Sequence, residues 1–352
     1  MRTIMIEPVG GDCNLSCKYC YHESIKKKGE IRIMPLHILK KTIKDALEST
    51  ESGRIKFLWH GGEPMLAGLG FFEAVVAYQK ELNYRNLNIV NAIQTNCTLL
   101  NEKWARFLSK NNFYVGTSID GPKWLHDKIR ARSYDNVING IRILQEFSSE
   151  VGIIITISKE NVEFHNEIWY EIILPKSLSK NFDLNVCSAS ESRDLSPSCE
   201  ESFRFLAKIF NLWAEEDDPE IHIKIFRIVL RYLMSGKSLD CAFEYGKCNK
   251  FAAVDEKGNV YICNRFIKRP VAYLGNILDK RLNEILASNR ASTLYKQISR
   301  IKKECRKCQW LNCCGGGCAF QRWVSRGRFD DGYPECELRK RFFDYVKKSL
   351  VL

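Results

Sequence analysis

No stretch of this 352-residue chain approaches 18 uninterrupted apolar residues, so no transmembrane helix is expected. The N-terminus carries Arg2 but no apolar run followed by a small-residue cleavage site, so no secretory signal is read there and the cytoplasm is the expected location. Internal repeats and low-complexity tracts are missing. The formal net charge is +12, yet there is no basic stripe. Lys26 to Lys28, Lys40 and Lys41, Lys302 and Lys303, and residues 339–341 are scattered over solvated helix faces, so nucleic acid is not an expected partner. What the chain does have is cysteine, fifteen residues in all. In a chain this long without a signal, that count points to metal ligation or redox chemistry rather than a disulfide scaffold.

Six short apolar, β-branched runs recur, at 2–9, 55–59, 87–94, 113–119, 151–158 and 182–187. Helix-period stretches lie between them, at 35–49 (with Pro35 at the helix start), 70–82, 102–111, 136–148 and 164–174, and two more follow at 197–216 and 221–235. Strands alternating with helices predict βαβ units and a parallel sheet. Six such units predict an α/β fold, a partial (β/α)6 TIM-like barrel over 1–237. From 238 to 352 the texture changes, with nine of the fifteen cysteines between 241 and 336. This predicts a small, loop-rich second domain, with a few short hairpins, ordered by metal sites rather than by a large core.

In a barrel of this kind chemistry collects at the carboxyl ends of the strands, and the unusual residues fall there. "GGDCNLSCKYC" follows the first strand, "HGGEP" (His60, Gly61, Gly62, Glu63, Pro64) the second, "QTNCT" the third and "SIDGP" the fourth. Each has a bland reading: the glycines and Pro64 as a plain turn, Asp120-Gly121 as turn formers, His60 as a packed ring. Their convergence on one rim argues against those readings together. Cys13, Cys17 and Cys20 are spaced C-x3-C-x2-C. Zinc would want a fourth ligand, for which His22 is the local candidate. A [4Fe–4S] cluster on three cysteines would instead leave one iron open.

The C-x3-C-x2-C spacing, with Tyr19 before the last cysteine, resembles the radical S-adenosylmethionine (radical SAM) superfamily. The resemblance implies that SAM's amino and carboxylate groups chelate the fourth iron, and that reductive cleavage yields a 5′-deoxyadenosyl radical that abstracts hydrogen. It also implies that Glu63 of "GGEP" meets the SAM ammonium, and that Ser118 and Arg130 contact its ribose or carboxylate, with Asn96 on the same rim. Further along, Cys248 and Cys263 read C-x9-G-x4-C. Cys305, Cys308, Cys314 and Cys318 read C-x2-C-x5-C-x3-C, and Cys336 follows. This arrangement resembles the SPASM domain with its two auxiliary [4Fe–4S] clusters. The implied ligands are Cys241, Cys248, Cys263 and Cys318 for the first and Cys305, Cys308, Cys314 and Cys336 for the second, making three clusters in the chain. A zinc ribbon on Cys305 and Cys308 would leave too many cysteines unexplained. Cys97, Cys187, Cys199 and Cys313 read as buried thiols, with Cys97 standing where related enzymes have the glycine of Thr-Asn-Gly.

"LWHGGEPMLAG", "QTNCTLL" and "SIDGPKWLHDKIR" resemble the anaerobic sulfatase-maturating and ribosomal-peptide maturase branch. The implied partners are a peptide substrate and a reductant such as flavodoxin or ferredoxin. Sulfatase maturases typically carry an Asp after the third auxiliary cysteine as the proton acceptor, and Gln before "GGEP". Here the residues are Asn264 and His60, and an amide is no general base. The expectation is therefore a maturase that installs a carbon–carbon, carbon–oxygen or thioether crosslink in a ribosomal precursor peptide. Formylglycine formation, and then small-molecule chemistry, are the alternatives. Formylglycine formation would need a replacement base such as Asp255 or Glu256. The first strand begins at residue 2, leaving no room for a leader-binding domain before it. The leader is then expected to be recognised by a separate protein or held by the two domains directly.

Overall fold

The computed structural model describes residues 2–22, 31–188, 192, 194–236, 241, 243 and 246–350. Strands β1 (Arg2–Ile6), β2 (Arg54–Trp59), β3 (Asn88–Gln94), β4 (Tyr114–Ser118), β5 (Val151–Ile157) and β6 (Asn181–Val186) pair in parallel in chain order. One face of these strands is wholly enclosed, as at Ile4 and Ile6 and at Ile55, Phe57 and Trp59, while the alternate positions of β2 and β5 are no more than partly buried. Between the strands run α1 (Leu36–Glu48), α2 (Leu69–Leu82), α3 (Glu102–Lys110), α4 (Lys123–Ile129), α5 (Tyr134–Glu146) and α6 (His165–Ile168). The alternation predicted a barrel-like parallel sheet, and that is the fold found.

Local differences have local causes. The helix expected over 164–174 is split, because α6 widens into a π-helical turn, Trp169–Ile173, that keeps Trp169, Ile172 and Ile173 buried. The short helix α4 went unread, its seven residues being too few for a clear period. After α7 (Cys199–Glu216), opened by the Ser198/Glu201 capping box, the chain forms β7 (His222–Ile223) and then α8 (Lys224–Ser235). The helix expected from 221 starts at 224 because His222 and Ile223 first extend the sheet beside β6.

The cysteine-rich region does not stand apart from this sheet. Its strands β8 (Phe251–Val254), β9 (Asn259–Tyr261) and β10 (Tyr273–Asn276) form antiparallel hairpins, as expected, but β8 also lies parallel beside β1. One ten-stranded sheet results, in the order β10-β9-β8-β1-β2-β3-β4-β5-β6-β7. The final helix, Cys336–Ser349, returns to the barrel, with the Phe342 ring 6.3 Å from that of Phe210 on α7 and 5.8 Å from that of Phe226 on α8. The boundary expected between 237 and 238 lies outside the described residues. Among the described residues no helix is long and apolar enough to cross a membrane.

Candidate active site

After β1 the chain turns through Pro8–Asp12 into the segment bearing Cys13, Cys17 and Cys20, all half-buried and none in a disulfide. This segment is fastened to the one after β2. Gly62 N–H donates to the Gly10 carbonyl and Glu63 N–H to that of Asp12, both at 2.8 Å, and His60 N–H to that of Ile6 at 2.9 Å. A Cβ at Gly61, whose φ is +116°, would sit 2.5 Å from the Gly10 carbonyl oxygen. At Gly62 it would sit 2.0 Å from that of Asp12. Glycine is required here by close approach of two backbones, so "HGGEP" is a clasp on the cysteine segment rather than a plain turn.

Glu63 is wholly buried. Its Oε1 accepts from Met65 N–H (2.9 Å) and Thr95 Oγ1 (2.8 Å), and its Oε2 from Asn96 N–H (2.7 Å). The Met65 bond caps the short turn Pro64–Ala67, in which Pro64 is buried. Burial pushes the carboxyl up to about 7, while these hydrogen bonds and Arg130 pull the other way. An ionised carboxylate offers about four acceptor sites. Three are used, leaving capacity for one further donor.

The Asn96 amide donates to Asn14 Oδ1 at 2.8 Å and lies 3.7 Å from Cys13 Sγ. The next residue, Cys97, is buried in the left-handed region at φ 59°. That conformation explains glycine as the usual residue in a Thr-Asn-Gly corner. Cys187 and Cys313 are also buried as expected, whereas Cys199 is only half-buried. Tyr19 OH donates to Asp120 Oδ2 and accepts from Arg130 Nη1, both at 2.5 Å. Asp120 is itself wholly buried and accepts Thr156 N–H at 2.8 Å. It is thus an anchor between three rim segments and not a mere turn former. Arg130 is buried beside it, 3.7 Å from Asp120 Oδ2, and its Nε has no partner. Ser118 is buried at the end of β4.

These elements enclose a cavity of about 490 Å3, whose wall includes Cys13, Cys17, Cys20, His60, Asn96, Ser118 and Arg130. Across it stand Cys241, Cys263, Cys318 and Asn264 from the C-terminal region. Cys248 is adjacent, since its thiol is pushed up to about 12 by burial and then by Cys318 and Cys241. Burial likewise pushes Cys263 up to about 12 and Cys13 up to about 11. A second cavity, of about 420 Å3, is walled by Cys305, Cys308, Cys314 and Cys336. Thus Cys305, Cys308, Cys314 and Cys336 share one cavity, and Cys13, Cys17, Cys20, Cys241, Cys248, Cys263 and Cys318 lie at or beside the other.

The donors fit iron–sulfur clusters. Enclosed thiols that disfavour one another's ionisation become thiolates when a cationic metal supplies the compensating charge. Arg265 Nη1 lies 3.7 Å from Cys318 Sγ and Arg339 Nη1 3.6 Å from Cys314 Sγ, as second-layer donors to such sulfurs do. Arg130, on the cavity wall with an orphaned Nε, suits an anionic group of a ligand there, whereas Glu63 has a spare acceptor site but lies behind the wall rather than on it.

Asn264 is buried on the cavity wall, its amide 3.2 Å from Tyr21 OH and its carbonyl facing Cys263 Sγ at 3.3 Å. The replacement bases named above do not reach that wall. Asp255 is spent on the β8–β9 turn, accepting Lys257 N–H, Asn259 N–H and the Asn259 amide, all at 2.9 Å, and Glu256 pairs with Lys268 at 3.4 Å. His22, considered as a zinc partner for the three cysteines, packs against Glu7 and His60 instead. Sequence reasoning missed the roles of Thr95 and Asp120, although they lie within "QTNCT" and "SIDGP". It also missed Glu7, whose carboxyl is hidden at the end of an apolar run.

The comparisons with known proteins agree with this geometry. Residues 8–167 match the family model described as the radical SAM superfamily, and residues 247–309 that of an iron–sulfur cluster-binding domain. The cysteine-type anaerobic sulfatase-maturating enzyme of Clostridium perfringens (strain 13 / Type A) is 30% identical over 99% of this chain and 97% of its own. The serine-type enzyme of Bacteroides thetaiotaomicron is 30% identical over 99% and 92%. A solved structure, native anSMEcpe with bound AdoMet, superposes with a TM-score of 0.88 at 30% identity, covering 99% of this chain and 98% of that one. Streptococcus suis SuiB bound to precursor peptide SuiA shares the fold, with a TM-score of 0.69 at 16% identity over 94% and 74%. The chain belongs to the radical SAM/SPASM superfamily and is closely related to the anaerobic sulfatase-maturating enzymes. It is a radical SAM oxidoreductase.

Proposed function

We propose that this enzyme oxidises a Cys or Ser side chain of a peptide or protein to formylglycine. The observation that carries the reading is end-to-end similarity to sulfatase-maturating enzymes, 30% identity over 99% of the chain, including relatives named for each of the two target residues. A solved relative holds both AdoMet and a peptide, Cp18Cys, at 29% identity and a TM-score of 0.88. Crosslinking stands first on Asn264 and His60 alone, but the whole-chain likeness favours formylglycine formation.

On this reading Cys13, Cys17 and Cys20 hold one [4Fe–4S] cluster. Cys241, Cys248, Cys263 and Cys318 hold a second, and Cys305, Cys308, Cys314 and Cys336 a third. SAM on the first cluster supplies, when bound and reduced, a carbon radical able to take a hydrogen atom. Glu63 meets the SAM ammonium, Arg130 and Ser118 its carboxylate or ribose, and Asn96 keeps the Cys13 segment against β3. Tyr19 and Asp120 hold the Arg130 guanidinium on the rim. The cavity shared by the cysteine sets receives the peptide side chain and limits water around it. A flavodoxin or ferredoxin serves as reductant.

Crosslinking of a precursor peptide is the second reading, favoured by one observation: the buried cavity residue after Cys263 is an amide, which takes no proton at neutral pH. The deciding experiment incubates the reconstituted enzyme anaerobically with SAM, a reductant and sulfatase-motif peptides bearing Cys or Ser. Formylglycine, detected as an aldehyde by tandem mass spectrometry, is the expected product. Crosslinking of a precursor peptide with no aldehyde on either sulfatase peptide would favour the second reading.

A further inference from the structure

Beside the cysteine sites, three ionisable side chains from separate segments converge. Glu7 follows β1, His22 follows Cys20 by two residues, and His60 follows β2. One donor atom from each lies within 4.8 Å of the others. Glu7 is 0% exposed and His22 4%. Both carboxyl oxygens of Glu7 and both ring nitrogens of His22 are buried with no hydrogen-bond partner. Their nearest approach, His22 Nε2 to Glu7 Oε1, is 3.7 Å, too long for a hydrogen bond. Four orphaned polar atoms in one enclosed spot are rare in native proteins, and an ion is a standard way to satisfy them.

We propose that Glu7, His22 and His60 bind one divalent first-row transition-metal ion, at a site separate from the eleven cysteines. Two imidazoles and one carboxylate are the donor set of catalytic zinc and of non-haem iron(II), which keep open positions for other ligands. Metal–ligand bonds of about 2.0–2.2 Å require only that the three donors draw in by roughly an ångström. Charges of both signs surround the site: Lys268, Asp255 and Glu256 act on Glu7, Lys268 on His22 and Arg265 on His60, with Lys268 paired to Glu256 at 3.4 Å. His60 Nδ1 accepts Gly61 N–H at 2.7 Å, which leaves Nε2 as the ring nitrogen free to ligate without breaking that bond. His22 and His60 line the large cavity together with Cys13 and Asn264, and Glu7 is not on its wall. The open positions of the ion therefore face the cavity, where it would ligate a heteroatom of a bound molecule.

The test uses the iron–sulfur-reconstituted enzyme, equilibrated with Zn2+ and desalted, then measured by plasma mass spectrometry and zinc K-edge X-ray absorption. One zinc per chain is expected, in a nitrogen/oxygen shell at about 2.0–2.1 Å with no sulfur at ~2.3 Å. Glu7→Gln and His60→Ala should each lower zinc retention at least tenfold while iron content stays at the wild-type value. No retained zinc, zinc on sulfur, or full retention in the variants overturns the site. If Glu7→Gln fails to fold, His60→Ala decides, provided its circular dichroism and iron content match the wild type. Neither readout needs turnover, so the result is independent of whether formylglycine is made.

Discussion

Glu63→Gln separates the structural from the cofactor-binding work of the "GGEP" segment. The carboxylate accepts three hydrogen bonds while wholly buried. A glutamine keeps the size and one acceptor oxygen. With that oxygen toward Met65 and Thr95, the amide nitrogen faces the Asn96 N–H, and one buried donor goes unsatisfied. The expected loss of stability is about 1–3 kcal/mol. The loss in SAM binding should be larger. Removing the charge that meets a desolvated ammonium costs on the order of 2–5 kcal/mol, or roughly thirty- to several-thousand-fold in affinity. Glu63→Ala is the poorer probe, because it strands all three donors and loosens the clasp on the Cys13 segment. The assay is calorimetric titration of SAM into anaerobically reconstituted wild type and variant of equal iron content, with thermal melts run alongside. SAM affinity within about twofold of wild type, at any melting temperature, would refute the charge pairing and leave Glu63 a cap and a brace.

Three further outcomes are expected. Reconstituted wild type should carry about twelve iron per chain. Replacing Cys13, Cys17 and Cys20 with Ala should remove about four and abolish SAM cleavage, and replacing Cys305, Cys308, Cys314 and Cys336 should remove a different four, as read by iron assay. Gly62→Ala should lower stability by ~1–3 kcal/mol or more, since its Cβ would meet the Asp12 carbonyl oxygen at 2.0 Å, measured by denaturant unfolding. His126 is held neutral, its pKa lowered to about 3 by burial and then by Arg130, against about 6.5 in the unfolded chain. The unfolded state therefore binds the extra proton. The contribution of His126 to stability should be level above about pH 6.5 and fall by about 1.4 kcal/mol per unit on acidification toward the folded pKa. His126→Asn should flatten that part of the slope in unfolding titrations at pH 7 and 5.5, and an unchanged slope would contradict the assignment.

What could be read from the sequence was what is encoded locally. β1 to β6 were legible because each is a short apolar, β-branched segment with a buried face. The triplet Cys13, Cys17 and Cys20 stood out because ligand spacing within a loop is a local property, whereas the division of the other eight cysteines rested on the resemblance. The pairing of β8 with β1 joins residues some 250 positions apart, and no periodicity specifies a partner at that distance. Asp120 looked like a turn former because a buried anchor and a turn aspartate have the same letter; the Tyr19, Arg130 and Thr156 contacts tell them apart. Glu7 was hidden because a lone carboxyl after an apolar run resembles a strand end. On substrate, two departures, Asn264 and His60, favoured crosslinking, whereas the whole-chain likeness favours the sulfatase-maturating alternative. Single residues are conspicuous in one sequence, whereas likeness spread over a whole chain shows only against other proteins.

Oxidation of a peptide side chain through SAM cleavage can be followed directly by isotope transfer. Reconstituted enzyme is given SAM, a reductant and a sulfatase-motif peptide deuterated at the Cβ of its Cys or Ser. 5′-Deoxyadenosine and peptide are then followed together by mass spectrometry. The account predicts deuterium in 5′-deoxyadenosine and an aldehyde at the labelled residue, rising in equal amounts. SAM cleavage without deuterium transfer or aldehyde on either peptide would contradict it.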